Sequence, residues 1–263
     1  SDGLHTPSEV VRMAWERGLR FLAITDHDTV EGVAEAVQAA QGLELEVIPG
    51  VEISTEIDGT SVHMLGYYVD YEAEELLCFF AASRKARLER AQKILAKLQA
   101  LGISLSWERI LALANGGTVG RAHIARALQE ASYVQTTQDA FDRYLVPGQP
   151  AYVPRPKLTP QEAIALIRRV GGLPVLAHPW GVAFILPELV SEGLVGLEVY
   201  YPGYHAEITA YLERLTRENG LICTGGSDFH GLGLLPENEL GQVYVPERCI
   251  RELKERKRLL KGG

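Results

Sequence analysis

The chain has 263 residues, of which 46% are apolar and 23% are charged, and its formal net charge is −8. This composition excludes extended disorder, and the length fits one large α/β domain or a smaller core that carries an insertion. The negative charge argues against a protein whose main role is to grip duplex nucleic acid by its phosphates, although local cations could still hold a phosphorylated small substrate.

The first 71 residues alternate predicted helices and strands. Thr6 is predicted to cap a helix over residues 6–17, with Pro7 at its first helical position. A short apolar strand over residues 19–24 follows, and Asp28 is predicted to cap a second helix that runs to residue 40. Further strands are predicted over residues 45–48, 51–53 and 61–67. This rhythm is typical of a parallel sheet built from βα units.

Residues 72–150 break this rhythm, because they are helix-prone and contain no convincing strand. The longest helical run covers residues 74–100, and a proline-rich connector over residues 146–156 ends the stretch. We therefore predict an inserted helical subdomain over residues 72–150, which leaves residues 1–71 and 151–263 to form the main α/β core.

The alternation returns after the connector. Thr159 is predicted to cap a helix that runs to residue 170. Strands are predicted over residues 173–177, 197–200 and 221–224. Between the last two strands, four apolar residues recur at helical spacing and predict one buried stripe: Ile208, Tyr211, Leu212 and Leu215.

The three cysteines, Cys78, Cys223 and Cys249, are widely spaced. An odd number at this spacing predicts neither a disulfide framework nor a cysteine zinc site, so we interpret them as reduced, buried thiols of a cytoplasmic protein. No apolar run reaches the roughly 18 residues that a membrane span needs.

Histidines recur at or near the carboxyl ends of the predicted strands, where barrel and open α/β enzymes build their active sites. Glu52 follows a Pro-Gly pair. Asp228 lies two residues before His230, so on an extended backbone the side chains of Asp228 and His230 point to the same side. Neutral imidazoles and carboxylates together suit zinc, manganese or iron. One such histidine is more often a core residue, but four with two carboxylates predict a metal centre. The four are His27, His63, His178 and His230.

These residues lie in motifs that resemble those of the PHP (polymerase and histidinol phosphatase) family of metal-dependent phosphoesterases. The motifs appear in the family's order: Ser-Asp-Gly at 1–3, Thr-Asp-His-Asp at 25–28, Pro-Gly-Val-Glu-Ile-Ser at 49–54, His-Met-Leu-Gly-Tyr at 63–67, Ala-His-Pro at 177–179 and Ser-Asp-Phe-His at 227–230. The helical insertion is similar to that of the branch that acts on nucleoside 3′,5′-bisphosphates and short RNA 5′ ends. The resemblance implies an α/β fold, a distorted TIM-like (β/α)7 barrel. It also implies that residues 1–71 and 151–263 form the catalytic barrel and that the insertion over residues 72–150 binds substrate.

The resemblance also implies two or three divalent metal ions, with manganese, iron or zinc expected and magnesium as an alternative. Asp2, His27 and His230 would hold one ion. Glu52, His63 and His178 would hold a second, with Glu52 bridging to a third ion that Asp228 shares. Glu52 and Asp228 would take part in catalysis through these metals.

In the family, a His-x-His pair shortly before Ser-Asp-Gly also holds the third ion, and this sequence has no such pair. Because the other ligands are present, we expect that pair and the barrel's first strand to precede Ser1 in the complete protein; the alternative is a protein that lacks part of one metal site. His5 occupies a variable position of the pattern, and we expect it on the exposed face of the first helical turn.

Arg121 and His123 are candidate substrate-binding residues. They begin a predicted helix after residues 115–118, and a helix N-terminus attracts phosphate, to which an arginine adds a bidentate fork. On the local sequence alone, a solvated helix start with a surface arginine is the better interpretation, but in the branch that this chain resembles the corresponding Arg and His contact substrate phosphate. His205 follows a strand end and is a third candidate, at the border of the pocket.

The function that the resemblance implies is removal of the 3′-phosphate from nucleoside 3′,5′-bisphosphates such as pAp, by a hydroxide that bridges two metal ions. Neither duplex nucleic acid nor a membrane is an expected partner. Four alternatives stay open: a 5′–3′ exoribonuclease on short RNA, another PHP phosphomonoesterase such as a histidinol phosphatase, a deaminase or lactonase of the amidohydrolase class, and an inactive binding module.

Overall fold

A computed structural model describes residues 3–114, 119–154, 158–231 and 238–261. The chain divides into two units, one formed by Ser1–Leu77 with Lys157–Gly263 and the other by Cys78–Pro156. The predicted division of labour, catalysis in one unit and substrate binding in the other, stays a prediction.

The first unit contains a six-stranded sheet whose strands lie side by side in chain order, β1 to β6. β1 and β2 are parallel, and so are β4, β5 and β6, but β3 is antiparallel to both of its neighbours. The sheet is therefore mixed, and the prediction of a parallel sheet is wrong at β3. The strands are Phe21–Ile24, Glu46–Ile57, Thr60–Tyr67, Leu173–Leu176, Gly196–Tyr200 and Ile222–Gly225.

The antiparallel pair arises from a tight turn at Asp58-Gly59. Both turn residues have positive φ, 47° for Asp58 and 86° for Gly59, which is the backbone of a two-residue hairpin and the reason an Asp-Gly pair favours one. The turn joins β2 directly to β3, and β2 is one strand rather than the two short segments predicted for it.

Ten α-helices lie in the described part of the chain: α1 to α10 are Pro7–Glu16, Val33–Ala39, Glu74–Ala100, Trp107–Ala114, Arg121–Glu130, Thr137–Ala140, Pro160–Arg169, Leu186–Ser191, Ala206–Glu218 and Glu247–Lys261. The predicted caps of α1 and α7 are confirmed, since Thr6 and Thr159 each form a capping box. No strand occurs in the described residues between 72 and 150, as predicted. None of the described helices is both long and apolar enough to cross a membrane.

Asp28 does not cap α2, contrary to prediction. That helix begins at Val33 with Gly32 in the capping position, and Asp28 lies in the preceding loop with a φ of 53°. Its carboxylate accepts a hydrogen bond from the backbone N–H of Ser54 at 2.9 Å. Asp28 therefore anchors the loop that follows β1 onto strand β2. A local capping pattern does not reveal this tertiary role.

Each unit has its own apolar core. In the second unit, α3, α4 and α5 bury Ile94, Ile110 and Ile124 against one another. In the first unit, the predicted stripe of α9 is centred on buried Leu212, but Tyr211 on the same helix is 37% exposed.

The prediction that all three thiols are reduced and buried is partly wrong. Cys223 and Cys249 are buried and all three cysteines are free, but Cys78 is exposed.

Candidate metal centre

The sheet brings the predicted strand-end ligands of the first unit together. His27 follows β1 and forms an isolated parallel bridge with Glu52 of β2. His63 on β3 lies opposite Ser54, two residues along the strand from Glu52. The hairpin therefore places the side chains of Glu52 and His63 diagonally on one face.

Glu52 is the hub of this cluster. Its side chain is buried, and Oε1 lies 2.8 Å from His63 Nδ1 and 3.4 Å from His178 Nε2. Its other oxygen, Oε2, lies 3.9 Å from His27 Nδ1. Burial raises the pKa of Glu52, but the hydrogen bonds with His178 and His63 and the charge of His27 outweigh burial and lower the pKa to about 2. Glu52 is therefore a carboxylate at neutral pH.

The imidazole rings crowd around this carboxylate. His178 Nε2 lies 3.2 Å from His63 Nδ1, and the ring centroids of His27 lie 5.1 Å from His63 and 6.0 Å from His230. The ligand atoms of His27, Glu52 and His63 all lie within 4.8 Å of one another. Lone-pair nitrogens and carboxylate oxygens this close repel one another unless a proton or a cation lies between them, so this set fits a divalent transition metal.

Asp228 and His230 complete the described part of the cluster. The Asp228 carboxylate Oδ2 accepts a hydrogen bond from the Tyr201 hydroxyl at 2.8 Å. His230 Nδ1 lies 2.8 Å from the Asp228 carbonyl oxygen, so that nitrogen carries the ring proton and Nε2 presents its lone pair. This is how outer hydrogen bonds orient metal ligands.

Glu198 is a functional candidate that the sequence reasoning missed. It lies on β5, is buried, and its Oε2 accepts the backbone N–H of His178 at 2.8 Å. His178 has a φ of 29°, a strained conformation for a non-glycine residue. Burial raises the pKa of Glu198 to about 8. An acidic residue within the apolar run Leu-Glu-Val-Tyr was the signal that could have identified it.

A cavity of about 1060 Å³ opens onto the cluster, and its lining includes His27, Glu52, His178, Glu198, Asp228 and His230. His5 also lines it and stacks on Phe229, with ring centroids 5.8 Å apart. The expectation that His5 lies on an exposed helix face is therefore wrong.

His205 is exposed just before α9 and is absent from the described lining of this cavity. Asp2, the remaining predicted ligand, lies outside the described residues.

The second unit contains a smaller cavity of about 180 Å³ lined by Arg87, Arg90 and Arg121. Arg121 Nη1 donates to the Leu145 carbonyl oxygen at 3.0 Å. His123 Nδ1 accepts the Gly120 N–H at 3.0 Å, so its Nε2 carries the proton and can act as a donor. The arginines that sequence reasoning missed, Arg87 and Arg90, are three residues apart on α3, a spacing that places them on one helix face.

Known proteins of several kinds resemble this chain. The family model of the PHP domain matches residues 1–145. The 5′-3′ exoribonuclease Rnm of Salmonella typhimurium is 36% identical over 88% of this chain and 82% of its own length, and the 3′,5′-nucleoside bisphosphate phosphatase of Chromobacterium violaceum is 32% identical over 89% and 85%. A crystal structure from Bifidobacterium adolescentis, of a protein assigned as a metal-dependent phosphoesterase, matches with a TM-score of 0.77 and 34% identity over 97% of this chain and 92% of that chain.

Proposed function

The chain belongs to the PHP domain family and is a metal-dependent phosphoesterase, and on this premise we propose that it removes the 3′-phosphate from nucleoside 3′,5′-bisphosphates. The observation that carries the proposal is the buried carboxylate of Glu52 with the rings of His27, His63 and His178 grouped around it. The relative named as a bisphosphate phosphatase supports the choice of substrate.

In this proposal, the ligands lie in a distorted (β/α)7 barrel and hold two or three divalent ions, with manganese, iron or zinc favoured and magnesium as an alternative. Such ions lower the pKa of water and stabilise negative charge on phosphoryl oxygens. The proposed ligands are Asp2, His27, Glu52, His63, His178, Asp228 and His230.

The protein's own groups would prepare this site in three ways. Glu52 supplies a fixed negative charge, because its pKa of about 2 keeps it ionised. Tyr201 holds the carboxylate of Asp228 through one hydrogen bond. Glu198 anchors the backbone of His178, which keeps that ring beside Glu52.

The second unit would bind a phosphate of the substrate. Arg87, Arg90 and Arg121 line one cavity, and guanidinium groups recognise phosphate oxygens with paired N–H donors. The Nε2–H of His123 adds a donor at the start of α5. His205, which is exposed before α9, is the weakest of the proposed substrate contacts.

A second candidate function is 5′–3′ removal of nucleotides from short RNA, which the relative named as an exoribonuclease favours. The chemistry is shared: in both substrates a phosphate ester on the 3′ oxygen of a 5′-phosphorylated nucleoside is hydrolysed. The choice between the two depends on what else that phosphate carries.

The test is hydrolysis by the full-length protein with Mn²⁺. We expect phosphate release from pAp that EDTA removes and that Asp228→Ala abolishes, with histidinol phosphate a poor substrate. A 5′-phosphorylated trinucleotide, assayed in parallel, compares the two candidates. If pAp stays intact with metal present, the proposed function is wrong, and cleavage of the trinucleotide alone would favour the second candidate.

A further inference from the structure

His5 is a histidine of the metal-centre cavity that the proposed function does not use. It lines the same cavity as the candidate metal ligands. The backbone beside it contacts a ligand segment directly, because the Leu4 N–H donates to the His230 carbonyl oxygen at 2.9 Å. The His5 ring itself stacks on Phe229, with ring centroids 5.8 Å apart and ring planes 7° apart. His5 is therefore held against the loop that ends at His230.

The two nitrogens of the His5 ring have different surroundings. Nδ1 lies 3.8 Å from Glu9 Oε2. That carboxylate oxygen is held in place, because it also accepts the Thr6 backbone N–H at 2.8 Å and the Thr6 hydroxyl at 3.1 Å. Nε2 is buried and has no hydrogen-bond partner among the described residues. The ring is thus oriented by its neighbours, and Nε2 is the nitrogen that those neighbours do not use.

Neither a core histidine nor a metal ligand accounts for this arrangement. A buried polar atom without a partner costs about 1–3 kcal/mol, so a core histidine normally has a partner at each buried nitrogen. In the described part of the chain, the ligand atoms close enough to hold one ion belong to His27, Glu52 and His63, and His5 is not among them. An unpartnered imidazole nitrogen at a reaction site instead suits a group that exchanges a proton with the substrate.

We propose that His5 is a catalytic residue that donates the proton of Nε2 to the oxygen leaving the phosphorus. The inference rests on the proposed function and adds the general acid of that reaction. Histidine is the side chain that most often performs such proton transfer, which typically contributes about 10²- to 10⁴-fold in rate. Glu9, beside Nδ1, is a positioning residue, because it orients the ring that carries the proton.

The chemistry of the leaving group explains why a proton donor is needed. Water adds to phosphorus and the P–O3′ bond breaks, with its electron pair remaining on O3′. Without a proton, O3′ would leave as an alkoxide, which is strongly basic and therefore a poor leaving group. The proton from Nε2 converts O3′ into the 3′ hydroxyl of the nucleoside 5′-phosphate. The attacking water gives its oxygen to inorganic phosphate and a proton to solvent, and the ring takes a proton back from solvent.

The test compares pAp with its 3′-phosphorothiolate analogue, in which sulfur replaces O3′. Because thiols are much stronger acids than alcohols, the sulfur leaves as a thiolate without being protonated. With the full-length, Mn²⁺-loaded protein, we expect His5→Gln to lower kcat on pAp by about 100-fold or more, and on the sulfur analogue by less than about threefold. A residue that only supported the fold or the metals would lower both values equally.

Two further variants separate proton donation from a structural role. His5→Phe keeps a ring that can stack on Phe229 but removes both nitrogens, so it should lose as much activity on pAp as His5→Gln does. Arg12→Gln is the matched control, because Arg12 is an exposed cation on α1 that is absent from the described cavity lining. It should keep its activity on both substrates. Elemental analysis should find the same metal content in all three variants as in the unaltered protein.

The inference is overturned if His5→Gln or His5→Phe keeps full activity on pAp, if either variant loses metal, or if the losses on pAp and on the sulfur analogue are equal. If the unaltered protein leaves pAp intact, the proposed function is wrong, and this is a separate result. The same replacement of oxygen by sulfur at the first 3′ ester of the trinucleotide then tests His5 on its own. If the unaltered protein hydrolyses neither substrate, the proposed function and the inference both fail.

Discussion

At the scale of single residues, the metal centre depends on hydrogen bonds that orient its ligands from outside. Tyr201 donates to the carboxylate of Asp228, Glu198 accepts the backbone N–H of His178, and Asp28 fixes the loop beside His27 to Ser54 of β2. Each of these groups restricts a ligand to one orientation, and their loss should weaken metal binding without removing any ligand.

Tyr201→Phe tests this outer shell with the least disturbance. The change keeps the ring that contacts His178 and Tyr204 and removes only the donor to Asp228. Since such outer partners typically contribute about 10- to 100-fold in metal affinity or activity, we expect a loss of about tenfold or more in Mn²⁺ affinity by calorimetry. Tyr204→Phe, which removes a hydroxyl that contacts only the Trp180 backbone among the described residues, should change affinity little. Equal effects of the two changes would contradict this role.

At the scale of elements, strand order explains both the site and the errors of sequence-based prediction. Histidines at strand ends follow local patterns, so His27, His63, His178 and His230 could be predicted. The Asp58-Gly59 pair is a hairpin signal in the sequence, but the alternation of helices and strands around it favours a parallel sheet. The role of Asp28 depends on Ser54, a residue 26 positions away, and no local pattern reveals it.

At the same scale, the contacts among β5, α9 and α10 predict that folding stability depends on pH. Arg248 Nη2 donates to Glu213 at 2.7 Å and to the Tyr200 hydroxyl at 2.6 Å. The hydrogen bond from Tyr200 is the main cause that lowers the pKa of Glu213, and Arg248 adds to it. A folded pKa below the unfolded value means that this stability is present above about pH 4.5 and is lost as pH falls towards the folded pKa.

Glu213→Gln should therefore cost about 1 kcal/mol at pH 7 in urea unfolding, given partial screening by solvent. The cost should shrink as the pH is lowered below 4.5. Glu218→Gln is the matched control, since its ion pair with Arg214 is 3.9 Å long and well exposed; it should cost less than about 0.5 kcal/mol. If the loss of unfolding free energy in Glu213→Gln grew as the pH was lowered, this explanation would be contradicted.

At the scale of the whole molecule, the chain combines two units with separate cores, and its three thiols differ in environment. Burial raises the pKa of Cys249 to about 12 and also raises that of Cys223, whereas Cys78 is exposed. Because the thiolate is the reactive form, Ellman's reagent at pH 8 should modify one thiol rapidly in the folded protein and all three in denaturant. Cys78→Ser should abolish the rapid phase; two or three rapid thiols would contradict the assigned burial.

The central claim is that the chain is a metal-dependent phosphoesterase whose metal centre is organised by Glu52. The most direct measurement combines metal content by elemental analysis with phosphate release from pAp, for the unaltered full-length protein, Glu52→Gln and Glu44→Gln. Glu44 lies exposed just before β2, so its change removes an equal charge away from the site. We predict bound transition metal and hydrolysis in the unaltered protein and in Glu44→Gln, and a loss of metal with an activity decrease of at least about 100-fold in Glu52→Gln. Full activity and full metal content in Glu52→Gln would contradict the account.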